Sequence, residues 1–417
     1  MNETKKSSPL RILFVNRMAC LERGGGETFD LELSRHLARQ GVQTELLSGA
    51  PLLGSAPLWI QGAHILHTPW LKRFPWDKVK GGWRLRQAEF EWFEWRAARW
   101  VARHAEEFDV IQVCELPNLV YWLKKRGVKT PIVMRLTAPN FYDPRGGVRQ
   151  ADALIASGTT IEKLRAKRKD DTEVVPPDSD MNHLSGFLEG WPPCGSSRPP
   201  LVDIPNAVDA DRFKPQASDF RREQGIGPEE FVALYVARFQ GFKNHAMLLK
   251  AFSDYIRKHP ASRLVLAGSG PLRERCEQQA ADYGIAGKVL FLGEVPFGDL
   301  PSVYAAADIK VISSDYESFC FAAIEAMSSG LPVLTTDCGW VPHLVADGAG
   351  MVVPVGDADA FSAGLKKLAD NPDLRKRMGA SGRQRVQERH TWPASAVKLL
   401  ELYRRLVALA DSRVSCG

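Results

Sequence analysis

Short apolar runs alternate with longer amphipathic stretches along this chain, which is the pattern of parallel strands joined by helices. ILFV at 12–15, TELLS at 44–48, DVIQV at 109–113 and TPIVMRL at 130–136 predict strands of a first parallel sheet. ADALIASG at 151–158 adds another, and residues 27–40 read as a helix after the first strand. A second series begins with FVALYVARF at 231–239 and continues through LVLAG, KVLFLG, IKVI and PVLTT, each followed by a helix or loop. Between the two series, the stretch 170–200 carries VVPPDSD and GWPPCGSSRPP and has no periodic element. Its Pro, Gly and Ser content predicts a loop or insertion. A last helix is expected over 394–410, its start marked by Trp392 and Pro393. The organisation expected is therefore α/β, with doubly wound domains over 1–205 and 206–393 and a closing helical segment over 394–417.

Composition fits that picture. A chain of 417 residues is too long for one core and suggests two domains. Seven cysteines, an odd number without a C-x-x-C pair, argue for a reducing compartment and against a disulfide scaffold or zinc site. The start, MNETKKSSPLRILFVNR, offers only a short apolar run, which reads as the first strand rather than a signal peptide. No apolar stretch approaches the ~20 residues needed to span a bilayer. A cytoplasmic protein is expected.

Candidate chemistry concentrates in residues 313–348, SSDYESFCFAAIEAMSSGLPVLTTDCGWVPHLVADG. Ile309–Ile312 reads as a buried strand, 313–318 as the loop at its carboxyl end, and 319–328 as a helix ended by Gly330. Glu317 then lies in the loop and Glu325 on the helix. Ligands of open parallel sheets bind outside the carboxyl ends of the strands, where a helix N-terminus offers free N–H groups to an anion. Two glutamates eight apart are also common on solvated helices, so the spacing alone decides nothing. Arg238 ends the first strand of the second series and Lys243 follows in a loop, so both can converge on a leaving phosphate pair. Fixed cations aimed at developing negative charge are worth roughly 3 kcal/mol each in a dry site. They could replace a metal, and none is expected. Gly268 and Gly270, in AGSGP, suggest close backbone approach near a ligand or an ordinary tight turn; the dinucleotide fingerprint is incomplete. Gly24, Gly25 and Gly26, between the first strand and helix, would let the backbone approach a phosphate.

The block of Glu317, seven intervening residues and Glu325, followed by GLPVLTTDCG, resembles the donor-binding signature of retaining glycosyltransferases of the GT-B fold, family 4. Three further segments match in the family's order: GGGETFDLELSRHLARQG at 24–41, VARFQGFKNHAMLLKAF at 236–252 and LVLAGSGPLRERC at 264–276. The match is strong from residue 200 onward and weaker over 45–200. The resemblance implies two Rossmann-like domains facing a central cleft, with DIPNAVDADRFKP at 203–215 as the linker and the last helix crossing back to the first domain. It also implies transfer of a hexose, with retention, from a nucleoside diphosphate sugar, a UDP- or GDP-sugar being expected, to an acceptor. Arg238 and Lys243 match the residues on the donor diphosphate, and Val295 falls where the nucleobase is held by backbone groups. Glu325 fits the ribose diol, since an ionised carboxylate can accept two hydroxyls at once. Glu317, with Ser318 and the N–H groups of Phe319 and Cys320, fits the sugar ring. In the family's usual reaction the departing phosphate accepts the acceptor's proton, so no separate base is required.

Several positions depart from the family. Where many members read D-V-I-H-x-H, this chain has Asp109-Val110-Ile111-Gln112-Val113-Cys114, and Thr137 stands at the next histidine position. Thr137 and Glu115 are the remaining acceptor-side candidates. Gly339-Trp340-Val341-Pro342-His343 replaces the usual Gly-Gly-x-Pro-Glu, and His343 is either a titrating group or a structural histidine. A GT-B epimerase or hydrolase, or a sugar-nucleotide binding protein without catalysis, are the competing readings.

Residues 72–103 hold nine Lys or Arg against four Asp or Glu, in a chain of net charge +6. On a helix expected over 84–105, Phe90, Phe93, Ala97, Trp100 and Val101 share one face, and Trp92, Trp95, Arg96, Arg99 and Arg103 the opposite one. The second face suits an anionic membrane surface and a lipid-linked acceptor. The competing reading is that these tryptophans line the acceptor cleft or pack on the 170–200 segment. Basic clustering is confined and no nucleic-acid module is recognisable.

Overall fold

The computed structural model describes residues 9–20, 25–51, 63–68, 82–137, 143–168 and 199–415. They fall into two compact units, Met1–Pro205 with Ser395–Gly417, and Asn206–Ala394. Gly24, residues 72–81 and nearly all of the expected 170–200 insertion lie outside the described residues.

The first unit is built on seven parallel strands: β1 Arg11–Val15, β2 Gln43–Pro51, β3 His64–Thr68, β4 Val110–Cys114, β5 Ile132–Arg135, β6 Ala153–Ala156 and β7 Leu201–Asp203. Their order, β3-β2-β1-β4-β5-β6-β7, reverses direction of growth between β1 and β4. The second unit carries β8 Phe231–Val236, β9 Ser262–Ala267, β10 Val289–Gly293, β11 Ile309–Ile312, β12 Val333–Thr336 and β13 Gly350–Val353, ordered β10-β9-β8-β11-β12-β13. Here the reversal falls between β8 and β11. These two points are where a doubly wound sheet opens a crevice at the carboxyl ends of its strands.

The central strands are apolar on both faces because helices cover both sides of a parallel sheet. Ile12, Leu13, Ile111, Val113, Leu234, Ile309, Val311 and Leu334 are all fully buried. The strands that periodicity did not suggest, β3, β7 and β13, all lie at sheet edges. HILHT, LVD and GMVV are short and partly exposed, and none carries a four-residue apolar run like the ILFV of β1.

The helix after β11 spans Phe321–Ser328, two residues shorter at its start than the apolar pattern suggests. Cys320 has φ 74°, outside the helical range, and Phe319 turns into the core instead. In the first unit, the helix Gly82–His104 buries Phe93, Ala97, Ala98 and Val101. The last helix, Trp392–Ser415, belongs to the first unit from Ser395 on, and there Tyr403 donates to Gln112 Oε1 at 2.6 Å.

Candidate active site

The second unit's site grows from the ends of β8 and β11. After β8 the chain passes Arg238, makes a single 3-10 turn over Gly241–Lys243, and enters the helix His245–Ile256. Asn244, at φ 47°, makes the corner and caps that helix through Met247 N. β11 ends in two buried serines, Ser313 and Ser314. Glu317 Oε1 accepts from Lys243 Nζ at 2.6 Å and from Ser314 Oγ at 2.8 Å. The Lys243 carbonyl accepts from Tyr235 OH at 2.9 Å and Ser313 Oγ at 3.0 Å. Tyr235 OH also lies 3.0 Å from Ser314 Oγ, so β8, its loop and the β11 loop form one polar cluster.

Glu325 projects from the Phe321–Ser328 helix and accepts from Tyr304 OH at 2.8 Å. Burial raises the pKa of its carboxyl, while the Tyr304 hydrogen bond and the charge of Lys310 pull it back down. Lys310 is fully buried in the middle of β11. Its Nζ donates to Val236 O at 3.3 Å and stands 5.1 Å from the centre of the Tyr235 ring. Burial lowers its pKa to about 8. His245 stacks on Phe239 at 4.2 Å, and burial followed by the charges of Lys243 and Lys310 lowers its pKa to about 3, leaving it neutral.

The remaining sequence candidates of this unit lie in the segments that follow the carboxyl ends of β8 to β12. Arg238 is exposed, two residues beyond β8. A Cβ on Gly268 would stand 2.1 Å from Ala237 O, and one on Gly270 2.6 Å from Phe239 O, so the two glycines let the AGSGP turn lie against the segment that carries Arg238. Val295 is half-buried against the second unit's core. Ser318 is half-buried in the loop, Phe319 is buried, and Cys320 forms the left-handed corner before the helix. Trp340 and His343 stack at 4.2 Å, next to the Gly339 turn.

In the first unit, Gly25 and Gly26 open the helix Gly25–Arg39. Glu115, at φ 51°, follows β4, and its Oε1 accepts from Thr137 N at 2.7 Å and Thr137 Oγ1 at 2.5 Å. The two acceptor-side candidates are thus bonded to each other. Gln112, at the first absent histidine position, donates to buried Asp30 at 2.9 Å, and Asn16 donates to the same carboxylate at 2.7 Å. Arg135 lies 3.7 Å over the Phe29 ring.

Sequence reasoning missed Tyr235, Tyr304, Lys310, Ser313 and Ser314. Only Lys310 left a signal, a lysine inside the apolar run IKVI. The tyrosines and serines are common residues of strands and loops, and pairing alone singles them out.

Residues 216–385 match the family described as Glycosyl transferases group 1. Over 416 residues the chain is 33% identical to the D-inositol 3-phosphate glycosyltransferase of Segniliparus rotundus, covering 95% of this chain and 88% of that one. The chain belongs to the group 1 glycosyltransferase family. It is also 35% identical to the D-inositol 3-phosphate glycosyltransferase of Corynebacterium kroppenstedtii over 52% of this chain and 50% of the relative. A GDP-mannose-dependent alpha-(1-6)-phosphatidylinositol monomannoside mannosyltransferase of Mycolicibacterium smegmatis is 30% identical over 48% of this chain and 56% of its own length. The chain therefore spans about half the length of these last two relatives. Among solved structures, sucrose-phosphate synthase from Thermosynechococcus elongatus superposes with a TM-score of 0.71 at 21% identity, over 96% of this chain and all of that one. Anabaena HepE in complex with UDP gives 0.68 at 18%, over 95% of this chain and all of that one. The fold is GT-B.

Proposed function

We propose that this protein is a retaining glycosyltransferase that moves a hexose from a nucleoside diphosphate sugar, a UDP- or GDP-sugar, to an acceptor hydroxyl. The observation that carries this reading is the Lys243–Glu317 pair at 2.6 Å, at the carboxyl ends of β8 and β11. It sets a cation for the departing diphosphate beside a carboxylate for the hydroxyls of the sugar ring. Glu325, with one oxygen already bonded to Tyr304, keeps acceptor capacity for a ribose diol. Arg238, exposed at the same strand end, adds a second cation for the diphosphate. As the bond from the anomeric carbon to the diphosphate breaks, the diphosphate oxygen takes the acceptor's proton, and the acceptor oxygen forms the new bond on the same face. Lys243 and Arg238 stabilise the charge that develops, which supports a reaction without a metal.

The family relatives are named for a phosphorylated inositol and for a phosphatidylinositol mannoside. A polyhydroxylated or lipid-linked acceptor fits the first unit, where the Glu115–Thr137 pair supplies acceptor-side polar groups. The helix Gly82–His104 supports contact with the anionic inner face of a membrane. Trp95, Arg99 and Arg103 are exposed, and Arg96 and Arg99 lie 4.9 Å over the rings of Trp92 and Trp95. Among the described residues no helix is long and apolar enough to cross a membrane.

Thermal stabilisation by a panel of UDP, GDP, ADP and TDP sugars, in wild type and Glu325→Ala, tests the donor site. A shift with one donor that the variant loses is the expected result. No shift with any donor would favour a scaffold without catalysis.

A further inference from the structure

Phe242 stands in the 3-10 turn Gly241–Lys243, one residue before the lysine of the site. It is 44% exposed, the most of any phenylalanine among the described residues. A single exposed apolar side chain is ordinary, but the setting of this one is not. Its backbone is fixed to the β11 loop, because Phe242 O accepts from Asp315 N at 2.7 Å and Asn244 Nδ2 donates to Asp315 Oδ1 at 2.8 Å. The turn itself is closed by Lys243 N and Asn244 N, which donate to Gln240 O and Gly241 O at 3.0 Å each. The centre of the Phe242 ring lies 5.0 Å from Lys243 Nζ, and that ammonium lies 2.6 Å from Glu317 Oε1. On the β11 loop, Tyr316 directly precedes Glu317 and is 40% exposed. Each loop that supplies one half of the Lys243–Glu317 pair therefore also carries an exposed aromatic residue beside it.

A hexose ring presents hydroxyls around its rim and C–H groups on its faces. A carboxylate serves the rim, since its oxygens accept hydroxyl donors. An aromatic ring serves the face: it buries apolar surface, and the negative charge density over the ring attracts the weakly positive hydrogens of C–H groups. Holding the aromatic on a backbone that is already ordered lowers the ordering cost of binding. The Phe242 ring and the Glu317 carboxylate flank the same ammonium, so a sugar whose hydroxyls meet Glu317 lies next to the ring.

We propose that Phe242 is a specificity-determining residue of the donor site, its ring covering the C–H face of the transferred hexose while Glu317 holds the hydroxyls. The proposal rests on the donor-site reading above. It assigns Phe242 to the sugar and not to the nucleotide that carries it.

Calorimetric affinities of UDP, UDP-glucose, UDP-N-acetylglucosamine, GDP and GDP-mannose for wild type, Phe242→Ala and Phe242→Tyr test this. Phe242→Ala removes an exposed ring and should fold as wild type does, which thermal unfolding checks. Its affinity for the bare nucleotide should stay within about twofold, while that for the nucleotide sugar bound tightest by wild type falls about three- to tenfold. Phe242→Tyr keeps the ring and should keep the wild-type ratio of the two affinities. In saturation-transfer NMR, irradiation of the aromatic protons should reach the sugar C–H protons, and Phe242→Ala should weaken that transfer without changing transfer to the base. An equal loss for nucleotide and nucleotide sugar, or no loss for either, overturns the proposal and leaves the donor-site reading standing. If wild type binds no nucleotide and no nucleotide sugar, the donor-site reading fails and the proposal falls with it.

Discussion

Gly339 lies so close to Glu317 that a Cβ built on it would stand 1.6 Å from the Glu317 carbonyl oxygen, and its φ is 55°. The turn after β12 therefore serves as the floor for the loop that aims the Glu317 carboxylate at Lys243. Gly339→Ala must displace one of the two backbones and also hold alanine in the left-handed region. A loss of at least about 2 kcal/mol in stability is expected from denaturant unfolding. Nucleotide-sugar binding should weaken with it, because the displaced backbone belongs to Glu317. Unchanged stability and binding would mean that the turn is not tied to the site.

Lys243 and Glu317 are coupled, so single substitutions should misrepresent each. Their side chains are 17% and 8% exposed, which leaves little water to screen the pair. Lys243→Ala removes the cation that Glu317 Oε1 contacts, and breaking a buried pair costs up to about 3–5 kcal/mol, less here because Lys243 is partly solvated. The double variant Lys243→Ala with Glu317→Gln should be more stable than the sum of the single effects, as a double-mutant cycle would measure. Turnover should behave differently. Removing the cation should lower kcat by about 100-fold or more whether or not Glu317 is present.

Much of this site was legible before the structure, and the part that was not has a physical reason. Glu317 and Glu325 could be placed because a buried strand, a loop and a helix leave separate marks in hydrophobic spacing. Lys243 could be placed because the segment around it follows a strand. The side chains those residues contact come from distant parts of the chain. Tyr304 reaches Glu325 across 21 residues and Tyr235 reaches Ser314 across 79, separations that no local pattern encodes. The edge strands β3, β7 and β13 were missed because each is short and poorly marked: HILHT carries two histidines and a threonine, LVD has only two apolar residues, and GMVV begins on a glycine and is followed by Pro354. The start of the Phe321–Ser328 helix was misjudged because a left-handed cysteine at position 320 has no sequence signature.

The first unit ties its last helix to its sheet through one amide. Tyr403 donates to Gln112 Oε1, and Gln112 Nε2 donates to Asp30, with all three side chains buried. Tyr403→Phe leaves the Gln112 oxygen without that donor in a dry environment. The expected loss is about 1–3 kcal/mol by denaturant unfolding. Hydrogen exchange should show faster opening of the helix from Ser395 onward than of β4. An equal change in both would indicate global destabilisation in place of a detached helix.

Glu94 gives the first unit a pH dependence of its own. It is 2% exposed, and its carboxylate accepts from Asn118 N at 3.0 Å and Asn118 Nδ2 at 2.8 Å, at the start of the helix Pro117–Lys125. Burial raises its pKa from 4.5 to about 7, against the pull of these hydrogen bonds and with a smaller push from Glu91. Arg145 bridges Asn118 and Glu91 on the outer side of the cluster. A folded pKa above the unfolded one means that the folded chain holds this proton more tightly. The contribution is complete below about pH 4.5 and is lost as pH rises through about 7. The loss is at most about 3 kcal/mol, from 1.36 kcal/mol per pKa unit. Glu94→Gln has no proton to lose, so its stability should fall less between pH 5 and 8 than that of wild type. Its absolute stability at pH 5 should be lower, since the amide nitrogen cannot accept from Asn118. Parallel pH profiles for the two proteins would show that Glu94 does not titrate in this range.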